Sequence, residues 1–493
     1  MANHSLTKLV ILSALVVLLH GVSPASASAH YKSALTRSLL FFEAQRSGKL
    51  PAGQRVTWRG HSALNDGSEA GVDLSGGYYD AGDNVKFGFP LAFSLTMLSW
   101  GAVDFGGPLR ANGELNNALA AIRWGTDYLI KAHPEPNVLY GQVGDGNSDH
   151  ECWMRPEDMT TPRSVFKIDA DHPGSDLAAE SAAALAAASI AFRAKDKSYA
   201  AKLLKHAIQL FDFAINYPGQ YQNSIPNAGQ FYSSSGFQDE LMWAAAWLYR
   251  ATKNQNYLTA IESAGGVRSE FSWDDKYVGA QILIAKLIAN GNLPLAGQWA
   301  EAKSNGEAFI CNCMQKGNNN VKLSPGGLLW FQPWSNFQYT SSTGFILAVY
   351  ADTLSRAKRT LSCPGGNVSP KEIIHLARSQ VDYILGRNPN QISYMIGFGA
   401  NYPTRVHHRG ASIVSIKKDS APVECKAGFD LYYHVSTPNR NVIQGAVVGG
   451  PDQSDSYTDS RDSYSQSEPT LTINAPLVGL LARVAQIKTR MRD

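Results

Sequence analysis

PGSDLAAESAAALAAASIAF, residues 173–192, is the stretch whose reading decides the fold. Pro173 and Gly174 interrupt what precedes it, Ser175 is placed as an N-cap, and Asp176 falls in the first turn, so a helix is predicted over 176–194. Asp176 and Glu180 read here as helix-dipole and packing residues. Alanine-rich amphipathic stretches of the same kind recur at 30–47, 91–105, 113–133, 198–216, 237–252, 273–290, 295–314, 342–358, 370–386 and 473–490. A weaker candidate near 255–264 brings the helices to about twelve. Between them run segments far longer than a helix bundle needs, at 53–90, 134–172, 217–236, 316–341 and 387–472, and long ordered loops usually carry function. A closed ring of paired helices with its site built from loops at one end, an all-α, α/α barrel, accounts for both observations.

The chain has 493 residues, yet no linker, repeat or low-complexity break divides it, so a single domain over 30–493 is expected. Residues 1–27 read as a secretory leader: Lys8, an apolar run from Leu9 to Leu19, then small residues that allow cleavage after Ala27 or Ala29. No later segment is long and charge-free enough to suggest a span, so a soluble, secreted, extracellular protein without membrane association is expected, acting as a monomer. Lysine and arginine number 44 against 41 acidic residues, a net charge of +3 with no basic run, which argues against nucleic acid as a partner. Of five cysteines, Cys152, Cys311, Cys313, Cys363 and Cys425, at least one must stay a thiol, since export permits disulfides but an odd count cannot pair fully. Cys311 and Cys313 lack companions at zinc-finger spacing, so no metal site is assigned. Asn367, in NVS within LSCPGGNVSP, is a glycosylation sequon in a loop.

Three loop motifs carry chemistry. In GYYDAGDNVKFGFP (77–90) Asp80 and Asp83 lie three apart around a glycine turn and can face one pocket. Alone, such a pair is an ordinary turn, and the spacing lacks the alternating ligands of a calcium loop. In SYMIGFGANYPTRVHHRGAS (393–412), His407 and Arg409 share one face if the strand is extended, offering hydrogen bonds to hydroxyls or a carboxylate, while His408 points away. In YTDSRDSYSQSEPTLTINAP (457–476), Glu468 stands just before a helix and Asp459 nine residues earlier. The helix dipole would lower the pKa of Glu468, whereas a proton donor needs it raised by burial or by nearby carboxylates. Splitting a glycosidic bond asks for one protonated and one ionised carboxyl group. Trp153, Trp273, Trp330 and Trp334 lie in loops or at helix starts and are candidates for stacking on sugar rings; Trp124, Trp243, Trp247 and Trp299 fall inside helical patterns and read as core.

Taken together, DAGDNVKFGFP, GFGANYPTRVHHRGAS and YTDSRDSYSQSEPTLTINAP resemble glycoside hydrolase family 9, and within it the secreted plant-type endo-β-1,4-glucanases (cellulases). FSWDDK, PGSDLAAESAAALAAAS and SNFQYTSSTGF fit as well, so the resemblance spans nearly all of the mature chain. It implies an (α/α)6 barrel with an open cleft, a β-1,4-glucan substrate in the plant cell wall, and an inverting mechanism. It further implies Asp83 as general base, Asp80 as its helper in holding water, Glu468 as general acid, His407 near the scissile bond with Arg409 beside it, and Asp459 supporting the acid's loop. No cofactor is required by this chemistry; a calcium ion bracing a loop is left open by the sequence. Two departures stand out: Ile396 replaces the usual Val, Ser or Thr of the histidine motif, and Leu471 with Thr472 replaces the Thr-Tyr often found after the acid. The chain ends soon after the last helix, so no carbohydrate-binding module is expected.

Overall fold

Alanine leaves room for close neighbours on every side, and the helix that begins at Ser175 uses all of it: only Ile190 and Ala191 of its 18 residues escape full burial. The computed structural model describes residues 24–261 and 263–486. Among these residues eleven long helices are present: α1 (Pro24–Ala44), α2 (Gly88–Asp104), α3 (Leu115–Ala132), α4 (Ser175–Phe192), α5 (Lys197–Asn216), α6 (Gln238–Thr252), α7 (Tyr277–Ala289), α8 (Gly297–Cys313), α9 (Phe337–Ala357), α10 (Pro370–Ile384) and α11 (Leu471–Val484).

Six of them close a ring. α2 packs on α4, α4 on α6, α6 on α7, α7 on α9, α9 on α11, and α11 returns to α2. These inner helices are apolar or small-residue on nearly every face because each is flanked on both sides and covered from outside. Around them α3 packs on α2, α5 on α4, α8 on α7, α10 on α9 and α1 on α11. The sixth outer place, against α6, is held by the 3₁₀ segment Gln255–Ala260, and the architecture is the (α/α)6 barrel. The weak twelfth helix expected near 255–264 is thus shorter and tighter. Left-handed backbone at Lys253 ends α6, and Gly265 and Gly266 turn the chain again too soon for a full helix.

Ser175 is not an N-cap. The helix already includes it, and its hydroxyl donates to the Ala214 carbonyl of α5 at 2.8 Å, fastening an inner helix to its outer partner. The leader expected over 1–27 lies outside the described residues as far as Ser23, and α1 begins at Pro24.

The loops entering the inner helices gather at the barrel end where those helices begin. An antiparallel sheet, β1 (Lys86–Phe87), β2 (Leu139–Val143) and β3 (Val165–Ile168), joins two of them, with Lys86 opposite Val143. Lys86 is wholly buried, paired with Asp66 at 2.7 Å and donating to the Gly76 carbonyl at 3.1 Å, which fixes the chain three residues beyond Asp83. A hairpin, β4 (Lys322–Leu323) and β5 (Leu329–Trp330), stands beside α9. Cys152 pairs with Cys425 and Cys311 with Cys363, while Cys313 is a buried thiol. Asn367 is exposed on its loop.

Candidate active site

The turn that bears Asp80 and Asp83 is held from three directions. Asp80 N–H donates to Val85 O at 3.1 Å, Leu471 N–H donates to Asp80 O at 3.0 Å, and Arg409 N–H donates to Gly82 O at 2.9 Å. From below, Gln45 Nε2 donates to the Ala81 carbonyl at 2.6 Å. Gln45 is itself oriented by His408. That ring accepts from Ala411 N–H through Nδ1 at 3.0 Å, so its proton sits on Nε2 and is donated to Gln45 Oε1 at 2.7 Å. Burial keeps His408 neutral, with a pKa near 3. The histidine that points away from its neighbours therefore braces the acidic turn.

Gly82 is the point of closest approach. A Cβ there would stand 2.2 Å from the His407 carbonyl oxygen and 2.9 Å from Glu468 Oε1, and the backbone N–H of Gly82 donates to that same Oε1 at 2.9 Å. Only glycine lets three loops meet this tightly. Gly82→Ala should leave the helical circular dichroism unchanged while cutting turnover by up to about 10²-fold, because it displaces the carboxylates rather than the barrel. Full activity in that variant would show that the loops are less tightly fitted than they stand.

Asp80, Asp83 and Glu468 come together in one cleft of roughly 460 Å³, with Phe87, His150, Phe231, Tyr232, Trp273 and Trp334 among its walls. The Tyr232 hydroxyl hydrogen-bonds to Asp80 Oδ2, and Asp80 Oδ1 is buried without a partner among the described residues. Burial is the largest influence on all three acids. It raises Asp83 to about 6, with the Asp149 charge adding to the rise and His150 and Arg409 opposing it. Glu468 rises to about 8 through burial and then the Asp83 charge, against the pull of the Gly82 N–H and Arg409. Asp80 is raised well above the usual range by burial and by Asp83, with Tyr232 opposing and Glu468 adding. Three carboxyls this close cannot all ionise near neutrality. Asp83 gives up its proton before Glu468, although Glu468 sits at the start of α11, where the dipole alone would favour its anion.

That order fixes a pH profile. kcat/KM on a neutral oligosaccharide should rise as Asp83 ionises near 6 and fall as Glu468 loses its proton near 8. A profile that only falls from pH 5 upward would contradict it.

The remaining residues singled out in the sequence divide into those that face the cleft and those behind it. His407 Nδ1 donates to the Arg461 carbonyl at 2.7 Å; burial and then the Arg409 charge bring its pKa to about 3, leaving a neutral ring whose Nε2 makes no hydrogen bond among the described residues. Trp153 does not stack on anything in the cleft. It is 1% exposed, its indole donates to Ser412 Oγ at 2.8 Å, and its ring lies edge-on beneath His407 at 5.0 Å. Arg409 likewise has no open face. It is 2% exposed, and its guanidinium donates to the carbonyls of Cys152 at 3.0 Å and Asp149 at 3.1 Å, so it acts on the site through its charge. Asp459 accepts from Thr404 N–H and Arg405 N–H, both at 2.9 Å, stitching the acid's loop to the histidine loop away from the cleft. Trp273 and Trp334 line the cleft, Trp334 being 55% exposed; Trp330 lies outside it, in a neighbouring hollow. Leu471 and Thr472 are buried, so that departure from the usual motif points into the core. Tyr232 and His150 belong to the site and carry no local mark in the sequence beyond lying in long loops.

The chain matches known proteins along most of its length. Residues 31–481 fit the model of "Glycosyl hydrolase family 9". The chain belongs to glycosyl hydrolase family 9. It is similar to Endoglucanase 14 of Arabidopsis thaliana, 61% identical over 474 residues covering 96% of each chain, and to Endoglucanase 15 of the same plant, 61% identical over 93% of this chain and 94% of that one. Among solved structures, an endoglucanase of the termite Nasutitermes takasagoensis superposes with a TM-score of 0.81 at 44% identity, covering 92% of this chain and 98% of the other. The cellulase Cel9M of C. cellulolyticum in complex with cellobiose gives 0.78 at 33% identity over 92% and 98%.

Proposed function

We propose that this family 9 enzyme, an endo-β-1,4-glucanase, cleaves internal bonds of cellulose and related cell-wall glucans by a single inverting displacement. Asp83 draws a proton from the attacking water, Asp80 helps to hold that water, and Glu468 protonates the departing glycosidic oxygen. The observation that carries the reading is the meeting of Asp83 and Glu468, both buried, with Asp80 in one aromatic-walled cleft, where burial raises both acids, Glu468 further than Asp83, as a proton donor beside a base requires. His407, through its Nε2, accepts from a sugar hydroxyl beside the scissile bond, and Trp273 and Trp334 supply flat faces for pyranose rings. The leader-like first residues support secretion, which would bring the enzyme to cell-wall glucan.

In an inverting enzyme water enters opposite the leaving group, so a β-linked chain releases a new reducing end as the α-anomer. Proton NMR of cellohexaose hydrolysis in the first minutes should show α-anomer first, with β appearing only by mutarotation. An initial burst of β-anomer would replace water by a covalent nucleophile and overturn the assignment of Asp83.

A further inference from the structure

A second hollow, of roughly 370 Å³, shares a wall with the cleft and is built of the same materials. Phe331 on its side stands 6.1 Å from Tyr339 on the cleft side, and Trp330 and Trp334, four residues apart, serve one space each. The volume falls at the lower end of the roughly 300–1,000 Å³ of small-molecule sites. Its floor is aromatic: Trp330 and Phe331 are both half-buried, so each keeps part of a ring uncovered. Its rim is planar and polar. Asn319, Asn320 and Gln332 are exposed, and the Gln332 amide donates to Glu270 Oε2 at 2.8 Å.

A flat ring bordered by amides and a carboxylate is what a pyranose needs, with its C–H face on the aromatic and its hydroxyls on side chains that both donate and accept. The charges of the lining are mixed, with Lys322 and Glu270 both bordering the space, and do not call for an anionic occupant. Arg268 is spent on Asp275 at 2.6 Å, and the Glu270 carboxylate borders the space that an anion would enter. Lys322 lies over the Trp330 ring as a cation–π partner, its ammonium 6.0 Å from the ring centre, and a stacking sugar would take its place there.

We propose that this hollow is an accessory binding site for the β-1,4-glucan itself, gripping a stretch of polymer that is not being cut. The proposal rests on the reading of the cleft as a glucanase site. Holding a chain beside the cleft raises the local concentration of cleavable bonds without adding to the chemistry, so its effect should depend on polymer.

The test separates retention from turnover. In an Asp83→Asn background, which prevents digestion, Trp330→Ala should lower retention on amorphous cellulose by roughly two- to tenfold, the size of one lost ring contact. In the otherwise unaltered chain the same substitution should leave kcat and KM on cellotetraose unchanged. Gln332→Ala, at an exposed position, should lower retention in the same direction and guards against a folding effect at Trp330. Undiminished retention in both variants overturns the site, as does a fall in cellotetraose turnover that matches the fall in retention. A parent chain that neither cuts cellotetraose nor binds amorphous cellulose overturns both the site and the catalytic reading beneath it, whereas a parent that cuts, with variants that bind as well as it does, overturns the site alone.

Discussion

Glu468→Gln is expected to slow hydrolysis of cellohexaose by about 10²- to 10⁴-fold, the usual worth of a positioned general acid. The amide keeps the shape of the side chain and can still accept from the Gly82 N–H, which stands 2.9 Å from Oε1, so binding should survive. What it lacks is the proton. A glucosyl oxygen is a poor leaving group and cannot depart without one, whereas an activated aryl oxygen can. The variant should therefore recover most of its rate on an aryl cellobioside, and its pH profile should lose the alkaline limb near 8 that Glu468 imposes. Near-parental rates on cellohexaose, or equal damage on both substrates, would remove Glu468 from the role.

Asp83→Asn should be as severe and should not be rescued by the better leaving group, because the missing step is activation of water. The acid limb near 6 should vanish with it. Asp80→Asn should cost less, since burial and the Asp83 charge push the Asp80 pKa upward and its proposed part is to hold the water rather than to take its proton. Its Tyr232 partner remains to hold the amide in place. If Asp80→Asn proved the more damaging of the two, the base and its helper would have to be exchanged.

The helices were legible because their signals are local. Alanine content, apolar spacing and stop signals fall within one segment, and the eleven long helices lie where that spacing puts them. The ring was legible only by argument from helix number and loop length, and its one thin place, Gln255–Ala260, follows from turns at Lys253 and Gly265 whose force depends on the packing around them. For the site, the motifs pointed to the acids because three of them occur together and in order along the chain, whereas a carboxylate pair in a glycine turn is by itself ordinary. Aromatics carry no such mark. A tryptophan in a loop is equally able to open onto a cleft, as Trp334 does, or to fill the space beneath it, as Trp153 does. Arg409 was misplaced for a related reason: alternation predicts a shared face with His407 only in an extended strand, and the chain there enters the helical turn Arg409–Ser412. Tyr232 could not have been singled out, since its partner Asp80 lies 152 positions away.

The hydrogen bond between Gly82 and Glu468 joins positions 386 residues apart, and the ring is shut by α11 meeting α2. A ribosome therefore delivers the base long before the acid. At about 5–20 residues per second the interval is roughly 20–80 s. The seam of α2, and that of α9 once it has emerged, stay uncovered until α11 arrives. The interval is also one of enforced silence. No pro-segment is needed to keep the unfinished enzyme from cutting polymer, because a proton donor that has not yet been translated cannot act.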